Sequence, residues 1–165
     1  MAEGGVHKAI TVYDDYAHHP TECQASLQAV AQAHPGAQIW IVWEPITRSR
    51  LEHFLKDFIE AFTVADAVIV GPIDISREED DPGKDQELLQ TLKDRLGAAV
   101  HRNKASLDDT IMIAESWTEA NGQLSSRLVR EMSSGVDSNT VVMFLGASQI
   151  THTAHAFAES AYLGS

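Results

Sequence analysis

Five short apolar runs, each parted from the next by a segment of helical period, constrain this chain more than anything else in it. They read KAITVY (8–13), QIWIVW (38–43), AVIV (67–70), TIMIA (110–114) and TVVMFL (140–145). Runs this continuous suit strands whose sheet is covered by helices on both faces. Between them, apolar residues recur at helical steps. Cys23, Leu27, Val30 and Ala31 do so in 20–34, which Pro35 and Gly36 bring to a stop. Leu51, Phe54, Leu55, Phe58, Ile59 and Phe62 mark 48–62, and Leu88, Leu89, Leu92 and Leu96 mark 86–96. Further helices are expected at about 123–132 and 150–162. Such alternation predicts an α/β domain built on a mostly parallel sheet with right-handed crossovers.

Length fits one domain of this kind, since 165 residues support a real core but not two comfortable ones. Residues 8–163 are read as that domain, with 1–7 and 164–165 as frayed or appended ends. No apolar run nears the roughly 20 residues needed to cross a bilayer. A formal charge of -12 opposes phosphate backbones and anionic lipid, whose binding depends on Lys and Arg, so neither nucleic acid nor membrane is an expected partner. Cys23 is the only cysteine and excludes an internal disulfide, and a cytoplasmic setting is expected. The acidic REEDDPGKD stretch (77–85) reads as an exposed loop.

In parallel sheets of this type ligands meet the carboxyl ends of the strands. Four segments there draw attention. DDYAHHP follows the first strand and crowds Asp14, Asp15, Tyr16, His18 and His19 before Pro20, which suits the first turn of a helix. Clefts collect titratable groups in this way, although Asp15 could equally satisfy turn amides and one histidine could pack on the sheet. Adjacent His18 and His19 point in different directions, and zinc ligands are usually spaced two or more residues apart, so no dedicated metal site is expected. EPITRSR places Arg48 and Arg50 at a helix start, where a cation is unfavourable unless an anion joins it. Either guanidinium could hold a carboxylate or phosphate, or reach Glu44 or Glu52 as a solvated pair. Asp74, Arg77 and Glu78 after the third strand are read as plain surface residues. LGASQI sets Gly146, Ala147 and Ser148 between strand and helix, where free amides can accept an anion.

These residues also carry a family likeness. DDYAHHPTE (14–22) resembles the signature that opens the C-terminal domain of the Mur ligases, in the branch joining alanine to UDP-N-acetylmuramate and its murein-peptide recycling relatives, where DDYGHHPTE or DDFAHHPT is typical. EPITRSRLEHFLKDF (44–58), FTVADAVIVGPIDISRE (62–78) and FLGASQI (144–150) continue the likeness in order, over nearly all of 8–160. The resemblance implies a Rossmann-like fold and the last of three domains, the others holding the UDP-sugar and the ATPase P-loop. It implies a reaction in which ATP with Mg2+ phosphorylates the muramate carboxylate and an amino acid's amine attacks the acyl phosphate. Asp15 then corresponds to an acid that helps position the nucleotide, and Tyr16, His18 and His19 to its neighbours along the ATP and amino-acid cleft. Arg50 corresponds to an arginine near the incoming amino acid, with Arg48 beside it and Ser148 in the turn that faces it. The chain has PITRSR where the alanine-adding enzymes usually have PHRYTR, and GASQI in place of GAGDI. It contains no G-x-x-x-x-G-K-[ST], so alone it is expected to make no amide bond. A recycling-ligase domain and a free-standing, non-catalytic binding module are the alternatives.

Overall fold

The computed structural model describes residues 10–74, 78–101, 110–134 and 139–163. Strands and helices alternate throughout: β1 (Ile10–Asp15), α1 (Pro20–Ala33), β2 (Gln38–Trp43), α2 (Arg48–Phe62), β3 (Ala67–Val70), α3 (Pro82–His101), β4 (Ile111–Ile113), α4 (Trp117–Ser133), β5 (Thr140–Leu145) and α5 (Ile150–Leu163). All five strands run parallel, in the order β1-β5-β2-β3-β4.

Alternate side chains of β2 to β5 feed two cores. Ile39, Ile41 and Trp43 of β2 face α1, α2 and α3, joined there by Leu27, Phe58, Phe62 and Leu96. Trp40 and Val42 face the other way, toward Leu124 of α4 and Phe157 of α5. The sheet is thus the middle of three layers. Buried aromatic and aliphatic side chains such as Trp40, Phe62 and Phe144 each contribute about 1.5–3 kcal/mol. The steps from β1 to β4 proceed one way across the sheet with α1 to α3 on one face. The return step to β5 uses α4 on the other face, as a constant crossover hand requires.

Three differences from the sequence reading have local causes. β1 is an edge strand whose Tyr13 and Asp14 are exposed, so its apolar run does not reflect two covered faces; Lys8 and Ala9 lie outside the described residues. The expected 77–85 loop is shorter, because Pro82 to Asp85 form the first turn of α3, capped by the Asp81 carboxylate accepting from the Lys84 amide at 3.1 Å. Likewise α4 begins at Trp117, capped by Ser116, whose hydroxyl accepts from the Glu119 amide. Both starts carry N-cap chemistry.

Candidate functional site

β5 sits between β1 and β2, yet its outgoing chain enters α5 on one face while theirs enter α1 and α2 on the other. Loops that part in this way open a crevice at the carboxyl edge. A cavity of about 410 Å³ lies there, lined by Tyr16 and His18 from the β1 loop, Thr47 and Arg50 from the β2 loop, Asp74 after β3, and Ser148 after β5. Residues far apart in sequence meet because four parallel strands end together.

The β1 loop is shaped by its own polar groups. An Asp15 carboxylate oxygen accepts from the Ala17 amide at 2.8 Å, and the Asp15 carbonyl accepts from the Gly146 amide at 3.1 Å, tying this loop to the end of β5. His18 Nδ1 lies 3.1 Å from the Tyr16 carbonyl. A carbonyl only accepts, so Nδ1 carries the proton, and in the neutral ring Nε2 is the acceptor. Tyr16, 69% exposed, meets the His18 ring edge-on at 5.9 Å and presents an aromatic face beside the cavity.

His19 goes elsewhere. It is the N-cap of α1: Nδ1 accepts from the Thr21 amide at 3.2 Å, and the Glu22 carboxylate accepts from the His19 amide at 3.3 Å. Its ring packs edge-on against Phe54 at 4.8 Å and lines a separate hollow with Asp57 and Glu60. Phe54 marks a kink in α2, with φ -105° and ψ 16°.

Arg48 and Arg50 also part company. The Arg48 Nε donates to Asp85 at 2.6 Å and an Nη to the Glu79 carbonyl at 3.2 Å, so its partner is neither Glu44 nor Glu52. Hydrogen bonding to Asp85 raises its already high pKa. Glu78 is no plain surface residue: its carboxylate accepts from the amides of Arg48 and Ser49 and from the Ser49 hydroxyl. The hydroxyl contact and those amides hold its pKa below the usual carboxylate range. Arg77 lies outside the described residues. Arg50, two residues further on and so on another side of the helix start, lines the cavity.

Thr47, beside it, has φ +58° and ψ 141°, a conformation that costs a non-glycine residue about 1–3 kcal/mol. Its hydroxyl accepts from the Arg50 amide at 3.3 Å, and its own amide donates to the Asp74 carbonyl at 3.1 Å. Together with the Asp74 amide on the Pro45 carbonyl at 2.8 Å, this zips the β2 and β3 loops into one wall.

The turn after β5 differs most from expectation. Its amides are taken: Ser148 donates to one carboxylate oxygen of Glu44 at 2.9 Å and Gln149 to the other at 3.0 Å. Glu44 is 2% exposed. Burial pushes its pKa up, with nearby Asp74 adding to the rise and the amides opposing it. Sequence reading missed Thr47 and Asp74 as cavity residues and Glu44 as the group that holds the Ser148 turn; Glu44-Pro45 directly after a strand was the available signal. Cys23 has no chemical part here, since burial pushes its thiol up to about 12 and keeps it protonated. Among the described residues no group of three or more His, Cys, Asp or Glu is arranged to hold a metal ion, and no helix is long and apolar enough to cross a membrane.

A parallel three-layer sandwich with a polar cavity at its strand-order reversal defines a Rossmann-like α/β domain. The chain belongs to the Mur ligase family: residues 3–148 match the model described as "Mur ligase, glutamate ligase domain". The UDP-N-acetylmuramate--L-alanine ligase of Chlorobium phaeovibrioides is 34% identical over 146 residues, which cover 87% of this chain and 28% of that protein. The chain therefore spans well under a third of this relative's length. The crystal structure of a UDP-N-acetylmuramate-alanine ligase from Thermotoga maritima superposes with a TM-score of 0.63 at 22% identity, over 94% of this chain and 27% of that one. A Mycobacterium tuberculosis folylpolyglutamate synthase, crystallised with ADP and AMPPCP, gives 0.58 at 19%, over 89% and 29%. At these identities both structures bear on the fold.

Proposed function

We propose that this chain is the C-terminal domain of an ATP-dependent ligase that joins an amino acid, L-alanine by its family branch, to UDP-N-acetylmuramate, and that its cavity receives the amino acid while the Tyr16 rim meets the nucleotide. The observation that carries this reading is the convergence of Tyr16, His18, Arg50 and Ser148, from three separate strand ends, on one cavity of about 410 Å³. Arg50 is the group suited to a carboxylate, which a guanidinium can take through two parallel hydrogen bonds. Tyr16 offers an exposed π face to a base. The helix start that often grips phosphate already holds Glu44, and no P-loop motif is present. This domain's share of the work is orientation and exclusion of water from the acyl phosphate, with ATP and Mg2+ held mainly by the remainder of such an enzyme.

Exchange of this chain for the matching segment of the Chlorobium ligase tests the reading. The hybrid is expected to release phosphate in a manner dependent on both L-alanine and UDP-N-acetylmuramate, and Arg50→Ala in it to raise the KM for the amino acid. A folded hybrid that is inactive, or whose KM for L-alanine is indifferent to Arg50, would count against it.

A further inference from the structure

Glu44 occupies a place usually reserved for a ligand. It directly follows β2, its amide donates to the Leu145 carbonyl at 2.9 Å, and its side chain crosses to the Ser148 and Gln149 amides of the turn that leads into α5. The positive end of a helix, with unpaired amides pointing outward, is an anion site in many α/β proteins. Here both carboxylate oxygens of a side chain 2% exposed fill it. The turn is shaped around that side chain. Gly146 has φ +155°, and a Cβ placed on it would lie 2.7 Å from the Glu44 Cβ and 2.8 Å from Ile150 Cγ2.

We propose that Glu44 is a specificity-determining residue: its carboxylate closes the Ser148 and Gln149 amides to any ligand phosphate or carboxylate, leaving Arg50 to receive the ligand's anionic group. Two charges of one sign cannot share a buried site without large cost, so an anion is kept from the Ser148 side of the cavity. Glu44 itself lines an adjoining hollow with Trp117 and Gln149, and Asp74 and Ser148 line both that hollow and the Arg50 cavity. A zwitterion is thereby turned one way, its carboxylate on Arg50 and its amine toward Asp74 and Ser148. For an amine that must act as nucleophile, a fixed orientation has direct kinetic value. The orientation rests on the amino-acid reading above; closure of the amides does not.

The test follows the backbone amide resonances of Ser148 and Gln149 in the 15N-labelled chain. In the wild type, inorganic phosphate is expected to leave them unmoved, whereas in Glu44→Ala they shift saturably with phosphate. Saturable phosphate shifts of these amides in the wild type, or none in a folded Glu44→Ala, overturn closure. Should Glu44→Ala not fold, Glu44→Ser, which likewise empties the place, replaces it under the same criteria. A second arm compares L-alanine, L-alaninamide and propionate. Wild type is expected to bind L-alanine best, and Glu44→Gln to narrow its preference over propionate by about tenfold. An unchanged preference overturns the orientation. Failure of L-alanine to bind any form overturns the amino-acid reading and the orientation with it, while the phosphate arm still decides closure.

Discussion

The opening turns of α1 and α2 both present a pair of similar residues, and both divide the pair: one member secures the helix, the other reaches the cavity. His19 caps α1 while His18 lines the cavity; Arg48 is anchored to Asp85 while Arg50 lines the cavity. They differ in where the securing groups come from. The cap of α1 is local, made by His19 and Glu22 within four consecutive residues. The start of α2 has a local cap in Thr47 but is held as well by Glu78 and Asp85, some thirty residues further on, and the turn into α5 is held by Glu44 from another strand end. A local cap stabilises its own helix; a remote one also fixes the distance between loops, and those loops form the cavity wall.

Separating the members of the Arg pair should give the largest effect. Arg50→Ala is expected to lose about 1.5–3 kcal/mol of amino-acid binding, as for a charged hydrogen bond, with an unchanged unfolding midpoint. Calorimetry and urea unfolding read the two quantities, and a fall in stability instead would erase the division of labour. Next comes the remote cap. Glu78→Ala removes the acceptor for two amides and a hydroxyl, and should cost about 1–2 kcal/mol by urea unfolding while weakening ligand binding through movement of the loop wall. His19→Ala should cost about 1 kcal/mol and leave binding intact. Equal effects of these two changes on binding would break the distinction between local and remote caps. The mildest effect is one of pH, and the two remote acids oppose each other. Glu78 is depressed in the folded state, so its stabilisation holds above the usual 4.5 and is lost as pH falls through its lower folded value. Glu44 is raised, so its contribution is complete below 4.5 and declines as pH rises through its higher folded value. Stability measured against pH should lose its acid limb in Glu78→Gln and its decline above 4.5 in Glu44→Gln.

The same distinction governs what could be read from the residues. β2, α2, β3 and β5 follow from periodicity within each segment and lie where expected. The starts of α3 and α4 were also written locally, in Asp81-Pro82 and in Ser116 three residues before Glu119, but the surrounding charge disguised them as loop. Fold class and carboxyl-edge crevice were legible, as was the family, from 14–22. The loops that share the cavity depend on strand order, and β1 pairing with β5 leaves no mark in either segment. Glu44 and Glu78 were illegible as caps for the same reason: a carboxylate shows its partner only after distant chain ends have met.

The position of β5 also bears on how the molecule is made. Of the five strands it is the last to be synthesised, yet it forms the middle seam between β1 and β2, with Ile10 waiting for Thr140 and Gln38 meeting the same residue from the other side. Until that seam arrives β1 has nowhere to pair, and the nascent chain holds at most the β2-β3-β4 half of its sheet. Such late, long-range closure slows folding and exposes unpaired strand edges meanwhile. A ribosome stalled before Thr140 would therefore carry a chain whose first strand is open to chaperones and to its own neighbours.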